Sequence, residues 1–306
     1  MKTLVIILCE TRAHELTFDN FKKNVIDELN ADLCLCIGVK SDYDYNNPFY
    51  LLAKYKFVYD EPDDFASAFE YANNTLSLDK SKFDELQEPL HWREFLKIKD
   101  QYLGGIKDHH NQHPGSAGIL IFFRWYLLHN LVKSDIVSEY DRFVITRSDF
   151  IYQLPHPKMD ILDPNLIWIP NSEYNGGYTD RHVVLSKSNY ENYLNILNNM
   201  VYKSNEYING MKNKNIYNWN LERVIKFHLE QNNVLHLVRE FPYIMYAVRN
   251  INGTTRWSVG TFNNVLGYYI KYNSEYDKSN FYKSEFEKSG LSINEFYDRE
   301  VTVLKK

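Results

Sequence analysis

The sequence predicts an α/β fold in which a mostly parallel central sheet is flanked by helices, arranged as a single domain with a C-terminal appendage. Three observations carry that expectation. Residues 3–9, 32–39 and 142–147 are almost continuously apolar, as strands buried on both faces are. Helical periodicity separates the first two, making a strand–helix–strand unit of about 35 residues. No internal repeat and no clean linker interrupts the chain, so the expected division is residues 1–250 as the domain and 251–306 as the appendage.

In order, the apolar run from Thr3 to Cys9 is strand one, with Thr11 and Arg12 beyond its end. Thr17 can cap the next helix, whose buried face repeats through Phe18, Phe21, Val25, Ile26 and Leu29. Asp32 to Val39 is strand two, and residues 40–48 form a polar loop. Residues 51–59 hold a short helix and a third strand, and Glu61 to Asp64 open a helix carrying Phe65, Ala68 and Phe69. Residues 73–82 read as irregular, and 83–99 as helical with a break at Pro89. The polar loop 107–117 contains His109, His110 and His113. It lacks a supporting carboxylate and reads as a substrate-facing loop rather than a metal site. Gly118 to Leu131 is a strongly apolar helix carrying Arg124 and His129.

The central strand 142–147 follows, then Phe150 and Ile151, and Leu154 to Pro157 cannot continue a central strand. Asn165 to Pro170 and 183–185 are strands, and 187–202 is a helix. A further helix, Leu221 to Gln231, is capped at Asn220 or just before. Phe241 to Val248 is a late strand, and Ser279 to Lys288 a last helix.

A hydrophobic fraction of 44% allows a large core, while 25 Tyr place many aromatic side chains near the surface or along a groove. The net charge of −5, with Lys and Arg scattered, argues against a nucleic-acid binder. Cys9, Cys34 and Cys36 lie in apolar runs and read as reduced core thiols, so a cytoplasmic location is expected. The first apolar run is too short for a signal peptide or a membrane anchor. No Gly-rich phosphate loop joins strand one to its helix, which argues against dinucleotide and P-loop sites.

Chemistry concentrates at Arg147-Ser148-Asp149, where the central strand ends and α/β sheets bind ligands. Arg147 and Asp149 are two residues apart and point the same way from an extended backbone. Such a pair can grip a phosphate and a metal ion together, and it can equally be a structural ion pair.

Four stretches together resemble nucleotide-sugar-dependent glycosyltransferases with a GT-A (Rossmann-like) domain, of the type found in bacterial surface-polysaccharide clusters and large DNA viruses. They are Glu10-Thr11-Arg12, Tyr140 to Asp149, Gly176 to Arg181, and Asn218 to Glu222. The likeness spans about residues 1–250. Those relatives carry Arg, a variable residue that is usually Pro, and Asp after a central strand; Ser148 departs from the Pro. Asp149 is then implied as the ligand of Mn2+ or Mg2+. Where an Asp-X-Asp motif would place a first carboxylate, this chain has Arg147. A nucleotide sugar, UDP-sugar first, is the implied donor, and a glycan or small hydroxyl compound the acceptor.

In that reading Arg12, Arg147, Arg181 and His182 bind the donor's phosphates or sugar, offsetting the charge that develops on the leaving group. Gly176 and Gly177 allow a close backbone approach that sets Asp180 and Arg181 beside the site. Asp180 activates the acceptor hydroxyl or pairs with Arg181, and Glu222 assists or caps its helix. Trp92, Tyr174, Tyr178 and Trp219 can stack on sugar or base. The rival readings are a nucleotidyltransferase or phosphate-ester hydrolase, which needs more clustered carboxylates for two metals, and a catalytically idle carbohydrate-binding or scaffold protein.

Overall fold

The computed structural model describes residues 1–75, 97–98, 101–102, 116–216, 219–252 and 259–304. Its centre is a seven-stranded sheet built from β1 (Thr3–Cys9), β2 (Asp32–Val39), β3 (Tyr55–Asp60), β6 (Arg142–Thr146), β8 (Ile167–Pro170), β9 (Val183–Ser186) and β10 (Val238–Phe241). The strands run in the order β10-β8-β9-β6-β1-β2-β3. β1 pairs in parallel with both β2 and β6, and β9 runs antiparallel to both of its neighbours. The expected mostly parallel α/β sheet flanked by helices is therefore present. β4 (Lys97–Ile98) and β5 (Gln101–Tyr102) form a separate two-stranded pair. The expected helix 83–99 thus ends in a strand, and the rest of it, with Trp92 and the His109–His113 loop, lies outside the described residues.

The side-chain alternation of β1 splits the core into two layers. Leu4, Ile6 and Leu8 face α3 (Phe65–Thr75) and the long α4 (Ser116–Lys133). Behind α4 pack α6 (Tyr190–Leu194), α7 (Ile196–Tyr202) and α9 (Leu221–Gln231), with α5 (Ile136–Glu139) after α4 and α8 (Ser204–Asn213) after α7. The helix expected over 187–202 is thus broken into short pieces. On the other face, Val5 and Ile7 join Phe21 of α1 (His14–Phe21), Phe49 of α2 (Pro48–Leu52), and Tyr282, Phe296, Tyr297 and Val301. These last four come from α10 (Asn273–Ser289) and α11 (Ile293–Leu304), so the boundary expected at 250/251 passes through one shared core.

A second, antiparallel sheet has the order β12-β13-β11-β7, from β7 (Phe150–Tyr152), β11 (Met245–Arg249), β12 (Thr261–Asn263) and β13 (Tyr268–Ile270). The late strand expected over 241–248 is two strands in two sheets. Pro242 explains the break, since it has no N–H to continue a ladder. Arg147-Ser148-Asp149 is the link from β6 of the first sheet to β7 of the second. Thr17 is not the cap of α1: Ala13 holds that position in the left-handed conformation, and the Thr17 hydroxyl donates to Ser148 O at 2.6 Å. Asn220 does cap α9, its side chain accepting from Arg223 N at 3.0 Å. Among the described residues, no helix is long and apolar enough to cross a membrane.

A chain of buried polar groups runs beneath this link. His156 Nδ1 lies 2.7 Å from Pro157 O, so it carries the proton and leaves Nε2 as an acceptor. His182 Nε2, 3.2 Å away, must then donate, which makes His182 Nδ1 the acceptor for the Thr146 hydroxyl at 3.0 Å. Burial holds both imidazoles neutral, His156 with its pKa pushed down to about 4 and His182 well below the ordinary range. Burial does the same at His228, also down to about 4. Because the unfolded chain binds these protons from about pH 6.5 downward, the stability they carry is complete above that pH. It is lost as the pH falls from there towards 4. At pH 5 we expect a loss of roughly 2 kcal/mol each from His156 and His228, with His182 acting in the same direction, seen as a melting temperature that drops steadily between pH 7 and 5. A flat profile over that interval would contradict the neutral assignment.

Candidate active site

A cavity of about 390 Å³ opens at the carboxyl ends of β1 and β6. Leu8, Ile119, Ile145, Trp219 and Leu221 give it apolar lining, and Arg12, Arg147, Asp149, Asp180, Arg181, Glu222 and Lys271 line it as well. Six of the seven residues expected at the site therefore meet in one cavity. The end of β1 turns into it through Cys9, at a φ of 90° that L side chains rarely adopt. Ser148 holds that turn. Its hydroxyl accepts from Arg12 N at 2.9 Å and lies 3.0 Å from Glu10 O and 3.1 Å from Arg12 O. A proline there would supply no hydroxyl, which gives the departure at 148 a structural reason.

Asp149 is 1% exposed and spends both carboxylate oxygens on arginines. Oδ1 accepts from Arg147 Nε at 2.8 Å, and Oδ2 from Arg147 Nη2 at 2.7 Å and Arg249 Nη1 at 2.5 Å. Arg12 Nε stands a further 3.9 Å from Oδ2. Burial alone would raise its pKa, but Arg147, Arg249 and Arg12 outweigh burial and hold the carboxyl well below the ordinary range. The divalent ion implied by resemblance does not fit this donor set, because a cation at Asp149 would have to displace guanidinium groups and enter an excess of positive charge. Among the described residues, no three His, Cys, Asp or Glu side chains gather as a metal site.

Arg181 lines the cavity but is tied to Glu275, Glu173 (3.2 Å) and, more loosely, Asp180 (3.7 Å). His182 is a correction: it does not line the cavity, and its bonds to Thr146 and His156 place it inside the core. The glycine pair acts as expected, since Gly176 has a φ of 86° and Gly177 packs directly on the first turn of α9. A Cβ at Gly177 would stand 1.9 Å from Glu222 O. That contact, with Tyr178 N donating to Glu222 O at 3.0 Å, joins the 176–181 loop to α9. Arg124 fixes the loop's far end by donating to Asp180 O at 2.7 Å.

Glu222 and Asp180 thereby share the cavity. Burial, then the neighbouring Asp180 charge, raises the Glu222 pKa against the opposing pull of its own backbone N–H, Asn175 and Arg181. A carboxylate with raised proton affinity is suited to take a proton near neutral pH. Of the proposed stacking residues, Trp219 lines the cavity; Tyr174 and Tyr178 do not, and the Tyr174 hydroxyl is spent on Glu240 at 2.9 Å.

No family model matches this chain, and no curated protein does. Among solved structures it is similar to mouse xyloside xylosyltransferase 1 in its apo form. The match has 8% sequence identity and a TM-score of 0.35, and it covers 78% of this chain and 84% of that one. At that level the likeness carries no argument about activity, which rests instead on the cavity.

Three contributors escaped the sequence reading. Glu10 pairs with Arg12, Arg249 reaches Asp149 from β11, and Lys271 enters from the end of β13. Spacing gave no warning of the last two, which come from the segment assigned to the domain's edge and the appendage. Because Asp149 neutralises several buried guanidinium groups, Asp149→Asn is expected to cost about 3–5 kcal/mol of unfolding free energy, measured by urea titration. An unchanged unfolding midpoint would mean that the arginines do not depend on its charge.

Proposed function

We propose that this protein is a glycosyltransferase that moves a sugar from a nucleoside-diphosphate sugar to a hydroxyl acceptor on a glycan or small molecule. The observation that carries the reading is the composition of one cavity at the ends of β1 and β6: apolar lining, several cationic side chains and two carboxylates, Asp180 and Glu222, close enough to influence one another. The apolar lining suits a nucleoside. Arg147 uses Nε and one Nη2 hydrogen on Asp149, leaving N–H donors for a diphosphate. Arg12 supports it from β1.

In the transfer, the bond between the sugar's anomeric carbon and the phosphate oxygen breaks, and the acceptor oxygen bonds to that carbon. The acceptor's proton passes to Glu222, and the nucleoside diphosphate leaves as an anion facing the guanidinium groups. Asp180 raises the proton affinity of Glu222 and adds negative charge near the electron-poor sugar. A metal-dependent nucleotidyltransferase or hydrolase is less well supported, because Asp149 is committed to arginine. UDP-sugars remain the first donors to test, and a cytoplasmic location is the accompanying proposal.

A panel of UDP-, GDP-, CMP- and dTDP-sugars should include one that raises the melting temperature by linkage. That shift should be the same in EDTA and in Mn2+, because the phosphates are held by arginine. Absence of any shift would sink the reading. Glu222→Gln should lower transfer by roughly 10²–10⁴ with donor Kd within a few-fold of wild type. Asp180→Asn should move the acid limb of the kcat/KM profile to lower pH, since it removes a charge that raises the Glu222 pKa. An unmoved limb would separate the two carboxylates.

A further inference from the structure

Lys271 lies at the end of β13, where its backbone N–H donates to Ala247 O at 2.9 Å. Gly260, at a φ of 98°, packs so closely that a Cβ there would stand 2.5 Å from Lys271 Cα. The backbone at Lys271 is therefore fixed, and its side chain lines the cavity. Its ammonium nitrogen sits 4.9 Å from the centre of the Tyr272 ring, which also lies 4.2 Å from the Arg181 guanidinium. Among the described residues no carboxylate lies within ion-pair distance of Lys271. The charges that act on it most strongly are Arg147 and Arg249 from the β6 and β11 ends and Arg181 from the 176–181 loop, opposed by Asp149; Asp180 and Glu222 line the same cavity.

The neighbouring arginines are not in the same position. Arg181 has Glu275 and Glu173, Arg12 has Glu10, and Arg249 and Arg147 share Asp149. A lysine placed among them without its own counter-ion makes the cavity complete only when an anion enters.

We infer that Lys271 and Arg147 form a diphosphate subsite in which the entering phosphate is matched by a proton that Lys271 takes from solvent. The inference rests on the cavity being the donor site, and it adds a residue and a proton to it. Burial, then Arg147, Arg249 and Arg181 against the weaker pull of Asp149, brings the Lys271 pKa down to about 7. In the free protein at pH 7.5 most copies are thus neutral; a phosphate dianion in contact restores the ordinary preference for the charged form. Binding then consumes a proton, and affinity falls by about tenfold per pH unit above 7.

The test is titration calorimetry of the full chain with UDP and with inorganic pyrophosphate, in buffers of differing ionisation enthalpy at pH 7.5. Wild type should take up about 0.7 proton per ligand more than Lys271→Arg, whose guanidinium is charged throughout. The ratio of wild-type to Lys271→Arg affinity, in which the ligand's own ionisation cancels, should fall as the pH rises from 6.5 to 8.5. Lys271→Met should bind both anions roughly 10–100-fold more weakly and melt no lower than wild type, since Lys271 makes no ion pair among the described residues of the free protein and Met keeps its apolar stem. Equal proton uptake in wild type and Lys271→Arg, or unchanged affinity in Lys271→Met, would overturn the inference. If the anions bind with Lys271-dependent uptake but no nucleotide sugar yields transfer, the subsite stands and the glycosyltransferase reading falls. Transfer with Lys271-independent uptake gives the reverse. If neither anion binds, the subsite falls.

Discussion

The Asp149 carboxylate holds together three segments that would otherwise repel one another. Arg147 follows β6, Arg249 ends β11 and Arg12 follows β1, so the link between the two sheets gathers three guanidinium groups around one buried anion. Backbone bonds share the task, with Val248 N donating to Asp149 O at 2.8 Å. An isolated buried charge of either sign would be costly, and with Glu10 paired to Arg12, Asp149 alone does not fully neutralise Arg147 and Arg249. The cluster therefore keeps an excess of positive charge beside the cavity. The same residue that fastens the sheets also sets the sign of the potential a ligand meets.

This joint explains why an unfavourable backbone at the end of β1 persists. Cys9 and Ala13 both have positive φ, a cost of about 1–3 kcal/mol for each strained residue. The intervening Glu10 and Arg12 are held by the Ser148 hydroxyl, and α1 is held by Thr17 on Ser148 O. Surrounding contacts thus over-determine the turn, and Arg12 is presented to the cavity by geometry that the local sequence would not choose alone.

The parts of the fold legible in the sequence were those decided by local pattern. β1, β2 and β6 show as apolar runs because both of their faces are buried, and α4 and α9 show as helices, α9 with its Asn220 cap. The site was legible where its residues sit at strand ends or next to glycines: Arg12, Arg147, Asp180, Arg181 and Glu222 meet as expected. Roles that depend on partners distant in the chain were not. Asp149 has the strand-end position and spacing of a metal ligand, and only Arg249, a hundred residues later, reveals that its charge is taken. His182 follows Arg181 directly, yet its imidazole is turned towards His156 and the core. The second sheet is built from three- and five-residue strands, too short to stand out by periodicity, and Pro242 hides the switch of sheets within one apolar stretch.

The C-terminal segment is part of the site rather than an addition to it. Glu275 at the start of α10 is fully buried and accepts from three groups: Arg181 in the cavity wall, the Tyr243 hydroxyl at 2.9 Å and Ala247 N at 2.7 Å. It neutralises Arg181 as Asp149 neutralises Arg249, so two buried carboxylates far apart in the chain balance two buried arginines beside the cavity. Lys271 and Tyr272, just before α10, then close the cavity on the side facing Arg147. With α10 and α11 packed under the central sheet and Tyr297 donating to Pro155 O at 2.5 Å, the fold cannot shed this segment without exposing core. The cationic lining is therefore complete only when residues 259–304 are docked, which couples the completeness of the site to the folding of the whole chain.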